Sequence, residues 1–93
     1  MKITIDKETC IKAVMTEVLE KLAAAEHDQW IHWSKNICHE EAISPGRIDR
    51  WAQYWVPYEN LSDDVKEYDR EWARVALDIF IEAFFPESFE VEV

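Results

Sequence analysis

Hydrophobic and polar positions alternate at both ends of this chain and recur at helical spacing between them. In "MKITID" (residues 1–6), Ile3 and Ile5 stand between polar neighbours, the period of two that a half-covered β-strand needs. Beyond Asp6, a suitable helix cap, the spacing lengthens: Ile11, Val14, Met15, Val18, Leu19, Leu22, Ala25, Trp30, Trp33 and Ile37 recur as on one helix face. One long helix is predicted over about 7–36, with the Ala23-Ala24-Ala25 run the place for any bend. "CHEEAI" (38–43) connects it to Ser44-Pro45, a capping serine followed by proline at the first helical position, which opens a second helix over 45–55. That helix carries Ile48, Trp51, Ala52 and Trp55 on one side. It stops before Pro57, because a proline pushes the residue before it out of the helical region. Ser62 then caps a third helix over 63–85, with Asp63 and Asp64 in its first turn, where negative charge suits the helix dipole. Pro86 closes it, and Phe89, Val91 and Val93 alternate as a second strand. Two strands at opposite ends satisfy each other's backbone groups, so they are expected to pair. The fold class is mainly α: three helices with a short two-stranded terminal ribbon.

Composition adds limits. Ninety-three residues make one domain, 1–93. A domain this small must draw its core from large side chains, and five Trp, three Tyr and four Phe supply them. Twenty acids against ten bases give a formal charge of −10, a field that repels nucleic acid and anionic membrane surfaces. The acidity reads as solubility or as an acidic face for a basic partner. No apolar run reaches the length of a membrane span, and no segment reads as a signal peptide. Cys10 and Cys38 are therefore expected to be free thiols in the cytoplasm. His27 and His32 stand five apart, the wrong spacing for two metal ligands on one helix face. His27 reads as an orienting side chain and His39 as a surface residue. No nucleophile elbow, phosphate loop or metalloprotease motif occurs, so neither a catalytic activity nor a cofactor is expected.

Two carboxylates interrupt apolar faces. Asp69 falls among Val65, Tyr68, Trp72 and Val75, which are expected to be buried, and Glu26 falls among Leu22, Trp30 and Trp33. A buried carboxylate is costly unless hydrogen-bonded. The donors in reach are Arg50, Arg70, the indoles and the backbone N–H groups around Tyr58. Either the carboxylates pin the Pro57-Tyr58 turn, or they bind a ligand in an aromatic pocket. The tryptophans divide in the same way, between core and a stacking surface for a planar ligand.

"EHDQW" (26–30) together with "WVPYENLSDDVKEYDR" (55–70) resembles the ryanodine-receptor repeat, the RyR domain, and its single-copy bacterial and phage type. Pro57, Tyr58, Leu61, Lys66, Asp69 and Arg70 stand at matching spacing, and the resemblance covers about 22–75. The receptor repeats have Gly-Trp-x-Tyr-Gly where this chain has "NICHEEAISPG", and Tyr54-Trp55 replaces their His-Pro. The loop that is phosphorylated in the receptors is missing, so that regulation is not implied. The resemblance implies a helical fold and, for prokaryotic members, binding of a nucleotide-derived signal in phage–host defence or counter-defence. It carries no catalytic residues.

The leading expectation is a non-catalytic module that binds a small nucleotide-like ligand through Glu26, His27, Trp30, Trp33, Arg50, Trp55, Tyr58, Asp69 and Arg70. The alternative is an acidic protein-interaction module, for example a phage protein that inhibits a host factor.

Overall fold

The computed structural model describes residues 1–93, the side chain of Phe89 excepted. Strand β1 (Lys2–Asp6) leads directly into α1 (Lys7–Glu40), followed by α2 (Pro45–Ala52), a single 3-10 turn (Tyr58–Asn60), α3 (Asp63–Phe84) and β2 (Ser88–Glu92). The three helix starts are those that the polar residues mark. Asp6 accepts from the Thr9 amide at 2.8 Å, Ser44 from Arg47, and Ser62 from Val65. Each satisfies an amide that the first turn leaves without a partner. α1 runs unbroken through the alanine run and four residues past its expected end. α2 ends three residues early, at Ala52, where Tyr54 and Trp55 turn back onto the carbonyls of Trp51 and Ala52.

α1 and α3 pack as an antiparallel hairpin. Its far end is tied by the ribbon, in which Lys2 to Asp6 pair antiparallel with Glu92 to Ser88. Lys7 continues that tie: its amide donates to the Glu87 carbonyl at 2.8 Å, and its ammonium lies 3.1 Å from Glu82. Among the described residues, no helix is long and apolar enough to cross a membrane.

The core is built around two small residues. Ala23 on α1 and Ala73 on α3 are fully covered and share a cluster with Tyr58 and Leu61. Leu77 and Ile81 extend it toward the ribbon. Buried positions on α3 thus step by four residues, 73, 77 and 81. The face expected to be buried is not. Tyr68 is 74 % exposed, Trp72 64 %, and Val75 is also exposed. The reason is steric. Alanine at both contact positions lets the two backbones approach closely, and a tryptophan there would hold them apart. α3 carries a second apolar stripe, turned away from α1.

The result is long and thin, 63 × 24 × 17 Å, with a radius of gyration of 18.3 Å. A compact domain of this length has a radius near ~12 Å.

Candidate functional site

α1 brings His27 and Trp30 to one side of the hairpin, three residues apart and therefore on neighbouring positions of the helix surface. Their rings stack at 6.0 Å with 20° between planes. Val65, Tyr68 and Asp69 on α3 face them, and Tyr54, in the turn after α2, closes the third wall. Together these six side chains line an open groove of about 380 Å³. Its walls are aromatic and its floor is polar.

The floor is an imidazole–carboxylate pair. His27 is buried, and its Nε2 lies 2.8 Å from the Val56 carbonyl. A carbonyl only accepts, so Nε2 carries a hydrogen and donates it. That bond fixes the ring, and Nδ1 then faces Asp69 Oδ2 at 3.6 Å. Burial pushes the Asp69 carboxyl above the ordinary aspartate range; the His27 ring works against the shift and nearby Glu26 adds to it. Asp69 had been expected to accept from the Pro57-Tyr58 turn or an indole. The turn is held instead by His27, through the carbonyl of Val56, the residue before Pro57.

On the other side of Tyr58 lies a second polar group that the sequence reading did not single out. The Tyr58 hydroxyl donates to Glu20 Oε2 at 2.5 Å, and Glu20 Oε1 accepts from Arg70 Nε at 2.7 Å. The Arg70 guanidinium also lies 3.5 Å from Asp63 and 3.6 Å from Glu67. Burial, together with the Glu20 carboxylate, pushes the Tyr58 phenol up to about 12. The same hydrogen bond holds Glu20 below the ordinary glutamate range, with Arg70 assisting against the cost of desolvation.

Three of the nine expected binding residues therefore line the groove: His27, Trp30 and Asp69. Glu26 is half-buried and acts on the groove through its charge on Asp69. Tyr58 is buried, its ring 6.4 Å from that of His27, so it supports the floor from behind. Arg70 is engaged by three carboxylates on the Tyr58 side. Arg50 is exposed on α2. Trp55 donates its indole N–H to the buried Ser34 hydroxyl at 2.9 Å and pins the turn after α2 to α1. Trp33 packs on Trp51 at 5.9 Å and Trp30 meets Trp51 edge-on at 6.2 Å, so Trp51 braces the groove wall. Tyr54, Val65 and Tyr68 were missed as lining residues. Val65 and Tyr68 share the face of α3 that carries Asp69 but were expected to be buried there, and the signal for Tyr54 was only that it is an aromatic next to Trp55.

Chemically, the groove offers aromatic faces for stacking and a carboxylate that accepts from N–H donors. Its six lining residues include no lysine or arginine to clamp a phosphate. It belongs to a helical-hairpin domain with an aromatic, carboxylate-floored groove. No protein-family model matches the chain, and the comparisons with curated proteins and with solved structures found no match.

Proposed function

We propose that the chain is a small non-catalytic binding module of RyR-like type whose groove takes the base end of a nucleotide-derived ligand. The observation that carries this reading is the His27–Asp69 pair on the floor of a groove walled by Trp30, Tyr54 and Tyr68. A nucleobase presents a flat face to the aromatic walls and ring or exocyclic N–H groups to the Asp69 carboxylate. Two of the residues that carry the RyR resemblance, His27 and Asp69, meet there. Arg70, another polar member of the pattern, braces Tyr58 behind the floor. The phosphate end of such a ligand points out of the groove into solvent, since the domain's charge of −10 disfavours drawing it in.

A thermal-shift and tryptophan-quenching screen of bases, nucleosides and nucleotides tests this. The expected result is that a base or nucleoside raises the melting temperature, by about 2.7 kcal/mol of stability at 100 times its dissociation constant. Its 5′-phosphate is expected to bind no tighter. A library in which no base, nucleoside or nucleotide moves either signal rejects the reading.

A further inference from the structure

We infer that the outer face of α3 is the seam of a parallel homodimer. Tyr68, Trp72, Val75 and Ile79 follow one another at steps of four, three and four residues, and all four are exposed. That is the 3.5-residue repeat by which two helices bury a shared stripe along their length. Trp72, Val75 and Ile79 lie on the side of α3 opposite Ala73, Leu77 and Ile81, where a second helix reaches them without meeting α1; Tyr68, at the end of the stripe, also walls the groove, so the seam ends at the groove's rim.

Three observations name a second copy as its occupant. The first is area. With roughly 150–250 Å² per fully covered aromatic side chain, the exposed parts of the four residues come to about 450 Å² of apolar surface per copy. A standard interface covers roughly 800 Å² per partner, a little over half of it apolar. The stripe has the size of the apolar part of such an interface.

The second is the shape of the single chain. A radius of gyration of 18.3 Å is half again that of a compact domain of this length. The largest aromatic residue on α3, Trp72, contributes little to the fold of one copy. A cover that supplies the missing burial must be present wherever the chain folds, and a second copy always is.

The third is charge. One flank of the stripe carries Asp64, Glu71 and Asp78, each seven residues from the next, and the other carries Asp69, Ala76 and Ala83. In an antiparallel pair the acidic flanks would face each other. In a parallel, in-register pair, Glu71 and Asp78 face the partner's Ala76 and the partner's Ala83, and Asp64 alone meets a carboxylate, the partner's Asp69. Like-charge avoidance therefore selects the parallel arrangement. Because each copy carries a charge of −10, added salt tightens the dimer rather than loosening it.

Sedimentation of the wild-type chain is the decisive measurement. The expected mass is twice 11.1 kDa, with dissociation on dilution and tighter association in sodium chloride. Trp72→Glu with Ile79→Glu is expected to return the mass to 11.1 kDa with helical circular dichroism retained, since neither side chain belongs to the core. Should that variant fail to fold, Ile79→Cys in a Cys10→Ser, Cys38→Ser background reads the same seam. It forms an interchain disulfide on mild oxidation only if residue 79 meets its own copy. A wild-type chain that sediments at 11.1 kDa in high salt overturns the inference. So does a dimer that the double substitution leaves intact, or one that Ile79→Cys fails to cross-link.

Discussion

Asp69 Oδ2 stands 3.6 Å from Nδ1 of His27, whose other nitrogen is already committed to the Val56 carbonyl. The carboxylate thus stands partly buried beside the His27 ring and near the charge of Glu26, and its proton is held more tightly than in the unfolded chain. A carboxyl with a raised folded pKa binds more protons folded than unfolded, so its contribution falls as pH rises through the window above the ordinary aspartate value. Asp69→Asn removes that loss. At neutral pH the variant is expected to melt at or slightly above the wild-type temperature, and its stability should no longer decline over that window. Ligand binding should be lost. Urea titrations across the acidic range check this; a clear loss of stability at neutral pH would place Asp69 in the frame of the fold instead of the site.

Tyr58 gives the opposite end of the pH scale. Its phenol is held protonated to about 12 in the fold, against 10.0 ordinarily. Between these values the unfolded chain ionises first, and stability is expected to fall as pH rises from about 10 to 12. Tyr58→Phe should abolish this alkaline loss. At neutral pH it should cost about 1.5–3 kcal/mol, the usual value for a hydrogen bond to a charged group. Thermal melts at pH 8 to 12, followed by far-ultraviolet dichroism, test both statements.

Ala73→Leu is expected to be severe for its size. Ala73 is fully covered in the cluster that also holds Ala23, and forcing extra methylenes into such a contact costs about 1–3 kcal/mol. The loss should be the same at every protein concentration. Trp72→Ala, by contrast, should change the stability of the dilute single chain by no more than about 0.5 kcal/mol. Denaturant midpoints measured over a dilution series separate the two. A concentration-independent loss for Trp72→Ala would return Trp72 to the core.

Arg70→Lys tests which side of Tyr58 the guanidinium serves. Lysine cannot reproduce a fork shared among Glu20, Asp63 and Glu67. These carboxylates are half-exposed or more, so the loss should be small and should vanish in high salt. Binding of a base in the groove should be unaffected. Reduced affinity with unchanged melting would move Arg70 into the site.

Much of the fold was legible because its signals are local. Ser44, Ser62 and Asp6 mark helix starts through bonds three residues away, and Pro86 marks the end of α3, whereas α2 stops at Ala52, well before Pro57. Ile3 and Ile5 announce a strand by alternation, and β2 is the strand that pairs with it. The buried face of α3 was not legible. A helix with two apolar stripes offers the eye its large residues, while close helix packing selects the small ones, and nothing local says that Ala73 will meet a partner fifty residues earlier. The floor of the groove was half legible. Asp69 stands out as a polar group on an apolar face and His27 as an orienting side chain, but their pairing depends on the antiparallel register of α1 and α3. Glu20 gave no sign, because it sits among ordinary surface residues and finds Tyr58 and Arg70 only across the hairpin.

The ribbon brings Met1 and Val93 together, with the terminal ammonium 3.2 Å from the last carbonyl and 3.0 Å from Glu92. Both ends of the described chain thus leave from one pole. His27 lies twenty residues up α1 from Lys7, ~30 Å along the helix at its usual rise. Anything fused to either end would hang clear of the groove. A short peptide joining the two ends would circularise the chain without bending it, so that exopeptidases would find no terminus while the groove stayed open.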